Sequence, residues 1–148
     1  MLTICVLDKV LLKVFLLFIM NAMEENSKQQ DLVYRTQKFA RDVRNFIKQI
    51  PKWYGMIDDT KQLIRSSGSV AANYIEAQEA LSTNDFLYRN RLCRKEARES
   101  IVWLGLLDCS LPEKFEAQRE ILLIEAKELV LIFSAIIKKG ERKIQKDN

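Results

Sequence analysis

The sequence predicts an all-α protein that folds as an antiparallel up-down four-helix bundle. Hydrophobic residues make up 48% of the 148 residues and charged residues 30%, with only four glycines and two prolines. This composition favours long helices over sheets joined by many turns. Four segments also carry apolar residues at three- and four-residue steps, with short polar links between them. Amphipathic helices joined by short links form a bundle of antiparallel neighbours.

The first two predicted helices lie on either side of Pro51. Helix one is expected over residues 31–50, where the apolar positions repeat on one helical face, and the proline ends it. Helix two is expected from about residue 58 to residue 81, with Asp58 or Asp59 as its N-terminal cap.

The third and fourth predicted helices follow a cap at Ser82. Helix three carries apolar residues as far as Leu107. Helix four begins at about Pro112, a residue favoured in a first turn, and is expected to stop at Gly140. Three regions are therefore predicted, an N-terminal extension, the bundle and a basic mobile tail: residues 1–28, 29–140 and 141–148.

The N-terminal extension contains an apolar stretch over residues 10–20 that Lys13 interrupts. This stretch is too short and too broken for a membrane-spanning helix, so no membrane partner is expected. Two interpretations remain open for it. It is either a weak signal-like segment or a misassigned extension ahead of a true start at Met20 or Met23, and we prefer the second.

The titratable residues argue against most classes of enzyme. The chain has no histidine, which removes the usual general base, the Ser-His and Cys-His nucleophile systems and most transition-metal sites. Its three cysteines, Cys5, Cys93 and Cys109, include no C-x-x-C pair and favour a reducing cytoplasm. We therefore expect no catalytic residue, no cofactor and no bound metal.

Paired acids provide one enzymatic alternative. Glu76 and Glu79 on helix two, and Glu96 and Glu99 on helix three, each have helical i, i+3 spacing. Carboxylates in such pairs can hold Mg²⁺, and the pattern loosely resembles all-α nucleotide pyrophosphohydrolases. Glutamates at this spacing are also frequent on solvated helices, so the pattern has low specificity.

The stretch RSSGSVAANYIEAQEAL, residues 65–81, places small residues in the middle of helix two. Gly68 and its serine neighbours permit either a close helix contact or a kink. The polar residues that follow, with those on helix three, are expected to pair between helices and fix their register. The predicted structural polar cluster is Asn73, Glu76, Glu96, Glu99 and Trp103.

The same residues carry a family resemblance. SVAANYIEA at residues 69–77, RKEARESIVWLGLL at residues 94–107 and EAKEL at residues 125–129 are similar to the four helix bundle protein family, over roughly residues 32–137. That family was first noticed as proteins encoded by intervening sequences in 23S ribosomal RNA genes. It is related to the accessory variability protein of diversity-generating retroelements. Ala77 stands where most of the family has glycine.

The resemblance implies a small bacterial homo-oligomer, a pentameric ring in characterised relatives, with no demonstrated catalytic activity. Its retroelement relatives bind nucleic acid and a reverse transcriptase. The resemblance therefore implies a protein that binds copies of itself and is associated with RNA, DNA or a ribonucleoprotein complex. A purely structural oligomer with a protein partner is the alternative within the same fold.

Basic residues on helix one are the candidate nucleic-acid contacts. They fall on the half of the helix opposite its apolar face, and copies in an oligomer would add their phosphate contacts. A solvated surface is the ordinary explanation for such a stripe on a single helix. The predicted nucleic-acid-binding residues are Arg35, Lys38, Arg41, Arg44, Lys48 and Lys52.

Overall fold

The computed structural model describes residues 2–50, 57–107 and 112–147, and the regular elements within those ranges are four α-helices. This confirms the predicted all-α fold class, and the arrangement is consistent with a four-helix bundle. The helices are α1 Leu2–Gln49, α2 Ile57–Gln78, α3 Thr83–Leu106 and α4 Glu113–Asp147.

Residues 1–34 and 35–148 are two separate compact units. The first unit contains the N-terminal part of α1, and its side chains from Val14 to Met20 are all exposed. Within the described ranges, no helix has the length and apolar character that crossing a membrane requires. The second unit contains the bundle and the residues discussed below.

Helices α2 and α3 are antiparallel neighbours in the second unit. The hydroxyl oxygens of Ser66 and Ser100 are 2.8 Å apart, and Glu76 forms an ion pair with Arg89. Residues early in α2 therefore contact residues late in α3, which means that the two helices run in opposite directions. The short link after α2 allows this hairpin, as predicted for neighbours in sequence.

Helices α3 and α4 are antiparallel in the same way. Arg119 donates a hydrogen bond to the carbonyl oxygen of Leu104 at 3.0 Å, and Arg91 forms a 2.8 Å ion pair with Glu141. The end of α3 thus lies beside the start of α4.

The part of α1 that belongs to the second unit, residues 35–49, lies beside both α4 and α2. Arg35 forms an ion pair with Glu125 of α4, and the guanidinium of Arg44 lies next to Gly68 of α2. The core between the helices is apolar, and the rings of Tyr74 and Phe133 contact each other with centroids 5.7 Å apart. Fully buried side chains come from every helix: Phe39, Val43, Leu63, Val70, Leu87, Leu104, Leu129 and Phe133.

The N-terminal cap predicted at Ser82 is confirmed. Its side chain accepts a hydrogen bond from the backbone N–H of Asp85 at 3.1 Å, and its backbone is extended. This bond satisfies one of the N–H groups that the first turn of α3 leaves without a helical partner. Helix α2 ends at Gln78, three residues before the predicted end at Leu81.

The helix stop predicted at Gly140 is wrong, because α4 continues through it to Asp147. A Cβ atom at residue 140 would lie 2.4 Å from Cδ2 of Leu87, which is fully buried on α3. This glycine therefore allows α3 to pack closely on α4, and it does not adopt the left-handed conformation that ends many helices.

Candidate nucleic-acid interface

Arg35, the first of the six basic residues predicted on helix one, joins two helices. Its Nε atom is 2.6 Å from Oε1 of Glu125, and its guanidinium also pairs with Glu128. Hydrogen bonding to Glu125 is the main cause that raises the pKa of Arg35 above its ordinary value. The side chain is 31% exposed, so this residue mainly holds α1 against α4.

Lys38 belongs to a local ion pair on α1. Its Nζ atom is 2.5 Å from Oδ2 of Asp42, and both side chains are exposed. The pair has i, i+4 spacing, which contributes a few tenths of a kcal/mol to a helix. Lys52 lies outside the described residues, so its assignment stays a prediction.

Arg44 occupies the junction of α1 and α2. Its Nη1 atom donates to the carbonyl oxygen of Ala40 at 2.9 Å, and its Nη2 atom lies 3.0 Å from the position a Cβ of Gly68 would take. The glycine leaves room for the guanidinium, which stays exposed beside α2. The small residue in the RSSGS segment therefore accommodates an arginine side chain.

Further cations extend this junction on both helices. Lys48 lies one turn beyond Arg44 on α1, and Arg65 lies one turn before Gly68 on α2; both are exposed. We call the set Arg41, Arg44, Lys48 and Arg65 the basic face. Arg65 is not among the residues predicted from the sequence, although it lies three residues before a glycine in a run of small residues.

Acidic residues are absent from the two helical segments that carry most of the basic face. Residues 43–49 of α1 and residues 60–75 of α2 contain no aspartate or glutamate. The acid nearest in sequence on α1, Asp42, pairs with Lys38. Arg44, Lys48 and Arg65 therefore have no acidic neighbour within these segments, and a surface of this charge favours an anionic partner.

The predicted structural polar cluster falls into two groups. On α2, Asn73 donates to the carbonyl oxygen of Ser69 at 2.8 Å, and Glu76 is exposed and pairs with Arg89. Asn73 thus bonds within its own helix, whereas Glu76 joins α2 to α3 at the surface.

The other three members lie together on α3. Nζ of Lys95 is 2.9 Å from Oε1 of Glu96 and 3.5 Å from Oε2 of Glu99, and Nε1 of Trp103 donates to Glu99 at 3.3 Å. Hydrogen bonding to Glu96 raises the pKa of Lys95 above its ordinary value. All of these contacts join side chains of α3, so they fix the positions of those side chains on the surface of that helix.

The buried polar contact between α2 and α3 comes from smaller side chains. Ser66 and Ser100 are both almost completely buried and share a hydrogen bond, and Cys93 lies 3.6 Å from the carbonyl oxygen of Val70. The sequence suggested a small-residue contact at this part of α2 but did not identify its partner on α3. No periodicity distinguishes Ser100 from any other serine on a helix.

Three of the four acids considered for Mg²⁺ form ion pairs with basic side chains. Glu76 pairs with Arg89, and Glu96 and Glu99 contact Lys95. Across residues 2–50, 57–107 and 112–147, no group of three or more histidine, cysteine, aspartate or glutamate side chains is placed to hold a metal ion.

Comparison with known proteins relates the chain to a solved helical structure. No family model matches the chain, and no curated protein matches it. The chain is similar to a protein of unknown function from the S23 ribosomal protein family of Bacteroides thetaiotaomicron. The two share 28% sequence identity and a TM-score of 0.61, over 72% of this chain and 97% of the other. The comparison supports the helical fold and relates it to a protein whose own function is unknown.

Proposed function

We propose that this protein is a non-enzymatic, self-associating accessory protein that binds nucleic acid, namely RNA or an RNA–protein complex, through its basic face. The observation that carries the proposal is the position of Arg44. Its guanidinium lies over Gly68 at the junction of α1 and α2, in line with Lys48 and beside the helix that carries Arg65.

The chemistry of the basic face suits a phosphate backbone. Guanidinium and ammonium groups neutralise phosphates and release counterions, which gives binding that falls steeply with salt. Contacts of this kind position a protein on nucleic acid but carry little sequence information. We therefore expect recognition by shape and charge, with weak preference for sequence.

Exposed cations at the end of α4 would extend the anionic contact. This part of α4 is helical, and its basic residues are exposed: Lys138, Lys139, Arg142, Lys143 and Lys146. Self-association would multiply every basic surface by the number of copies. Modest charge on one chain, +4 in total, would then become a broad positive surface.

The resemblance described above supports the biological part of the proposal. We propose membership of the four helix bundle protein family of ribosomal RNA intervening sequences, with the oligomeric state, a pentamer, taken from its characterised relatives. The similar Bacteroides protein belongs to a family named for a ribosomal protein, which is compatible with this assignment. The partner would be ribosomal RNA, or a reverse transcriptase with its nucleic acid, in the cytoplasm.

A titration with RNA at rising salt tests this proposal. Fluorescence anisotropy of a labelled RNA duplex, and of one of its strands, would be measured against the purified protein at several salt concentrations. We expect binding at low salt to both forms and a steep linear fall of log K with log salt. Absence of binding even at low salt would remove the proposal and leave a structural oligomer with a protein partner.

An activity assay on the same protein preparation tests the alternative that the protein is an enzyme. The protein would be incubated with nucleoside triphosphates and Mg²⁺, and the release of pyrophosphate would be measured. Turnover that depends on Glu76 and Glu96 would favour a nucleotide pyrophosphohydrolase, and its absence is the expected result.

A further inference from the structure

The glycines in helices α2, α3 and α4 have different surroundings. A Cβ atom at residue 140 would overlap the buried side chain of Leu87, whereas a Cβ atom at residue 105 would meet nothing within 4 Å. The three atoms nearest to a Cβ at residue 68 all belong to the guanidinium of Arg44: Nη2 at 3.0 Å, Nη1 at 3.8 Å and Cζ at 3.9 Å. Glycine inside a helix is destabilising relative to alanine. At residue 68, the space gained in return is space for an arginine side chain.

A second contact holds the same guanidinium on α1. Its Nη1 atom donates to the carbonyl oxygen of Ala40, one turn earlier, at 2.9 Å. This bond draws the side chain back along α1, which is the direction in which helical side chains ordinarily point. The guanidinium therefore has a neighbour on each helix, the Ala40 carbonyl on α1 and the backbone of α2 at Gly68. We call Ala40 and Gly68 the Arg44 seat.

The Arg44 seat uses only part of the donor capacity of the guanidinium. An arginine side chain carries five N–H groups in one rigid plane, and the bond to Ala40 takes one of them. Within the described part of the chain, Arg44 forms no ion pair, whereas Arg35 on the same helix is paired with Glu125 and Glu128. Arg44 is also exposed. Its other N–H groups therefore remain able to bind two oxygens of one phosphate group.

Holding a guanidinium in place changes how it contributes to binding. A long side chain normally loses conformational freedom when it binds a ligand, and this loss lowers the affinity. A side chain that is already held loses less freedom. A mobile surface cation, in contrast, acts mainly through the overall field of the surface. The affinity for RNA should therefore depend on the position of Arg44 as well as on its charge.

We propose that Gly68 is a positioning residue of the nucleic-acid interface, and that it leaves the space in which Arg44 is held for a bidentate contact with one phosphate group of the RNA backbone. Gly68 acts through Arg44 and carries no charge itself. The inference rests on the proposed function and deepens it, because it assigns one fixed phosphate contact within the basic face. It applies to each copy of the chain and is the same for any number of copies.

Substitutions that preserve the net charge test the inference. Gly68→Leu fills the space beside the guanidinium and should displace it, and Arg44→Lys keeps the positive charge but lacks the planar donors. Each should bind the labelled RNA duplex about threefold to tenfold more weakly in anisotropy titrations at low salt, which corresponds to the cost of immobilising one side chain. Gly105→Leu is the matched control, because it adds the same side chain where nothing lies close, and it should bind as the unsubstituted protein does.

A double-variant cycle tests whether Gly68 acts through Arg44. In a chain that already carries Arg44→Gln, Gly68→Leu should cause no further loss of affinity, because no guanidinium is left to displace. A leucine that blocked the RNA directly would weaken binding equally in both chains.

Circular dichroism and thermal unfolding would show that each variant is folded. If Gly68→Leu does not fold, Gly68→Ala takes its place in the cycle. Its single methyl group would lie 3.0 Å from Nη2, so a smaller loss of affinity in the same direction is expected.

The results separate this inference from the proposed function. Absence of RNA binding by the unsubstituted protein would contradict the proposed function. RNA binding that is unchanged in a folded Gly68 variant, or weakened equally with and without Arg44, would overturn the role of Gly68 and leave the basic face as a surface that acts by charge alone.

Discussion

The hydroxyl oxygens of Ser66 and Ser100 lie 2.8 Å apart in the buried interface between α2 and α3. Each hydroxyl also lies close to a carbonyl oxygen of its own helix, Leu63 at 3.3 Å and Glu96 at 3.0 Å. Both polar groups therefore have partners in the core, and their small side chains allow the two helices to lie close together.

Substituting the two serines should give non-additive losses of stability. Ser66→Ala and Ser100→Ala should each lower the free energy of unfolding by about 1 kcal/mol, because each removes one shared hydrogen bond. The double variant should lose less than the sum, since no hydroxyl is left without its interhelical partner. Urea unfolding of the four proteins measures the coupling. Strictly additive losses would mean that the shared bond contributes nothing.

Two helical glycines should respond to alanine in opposite directions. Gly105→Ala should raise the free energy of unfolding by about 1 kcal/mol, because a Cβ there meets nothing within 4 Å and alanine favours helix. Gly140→Ala should lower it by about 1 to 2 kcal/mol, because the new methyl overlaps the buried side chain of Leu87. Thermal unfolding compares the two. Stabilisation by both substitutions would contradict close packing of α3 on α4 at Gly140.

Stability should fall at alkaline pH because of Cys93. Burial raises the pKa of this thiol to about 12, whereas the unfolded thiol ionises near its ordinary pKa of about 8.5. Above that pH the unfolded state has released a proton that the folded state keeps, so the free energy of unfolding decreases as pH rises.

The expected decrease is about 1 kcal/mol between about pH 7 and pH 9.5, a range in which most tyrosine side chains are still protonated. Urea unfolding at those two pH values measures it. Cys93→Ala should be less stable at neutral pH but should lack most of this dependence. A variant with the same slope as the unsubstituted protein would show that another group causes it.

The ion pair between α1 and α4 should contribute more than the local pair next to it. Arg35→Gln should lower the free energy of unfolding by about 1 to 2 kcal/mol, because it leaves the half-buried Glu125 without its main partner. Lys38→Gln is the matched control and should cost less than about 0.5 kcal/mol, since its pair with Asp42 is exposed. Equal losses of unfolding free energy in the two variants would show that the ion pair of Arg35 with α4 contributes no more than a local pair on α1.

The fold was predictable because helical periodicity is a local property. Four apolar stripes, the cap at Ser82 and the scarcity of glycine identified the helices. The end of α4 was not predictable, because only the position of Leu87 on α3 shows that Gly140 serves packing. A glycine near the end of a helical pattern has the same local signature in both cases.

The candidate site was only partly predictable for the same physical reason. Charge on one face of α1 can be read from spacing, but the partner of each charge lies on another helix. Arg35 was grouped with the nucleic-acid contacts, whereas the structure engages it with Glu125 and Glu128 of α4. Arg65 was missed, because the approach of Arg44 to Gly68, one turn from Arg65 on α2, depends on how α2 lies against α1.

Affinity for RNA after matched charge reversal is the most direct test of the basic face. Arg44→Glu with Lys48→Glu would be compared with Arg98→Glu and Lys114→Glu, two exposed cations outside the basic face. Each double variant changes the net charge equally, and anisotropy titrations with one labelled RNA would be run across salt concentrations. We expect the first variant to bind about tenfold or more weakly at low salt, with a salt slope smaller by about two, and the control to bind as the unsubstituted protein does. Equal weakening in both variants, or unchanged affinity in the first, would contradict a nucleic-acid interface at the junction of α1 and α2.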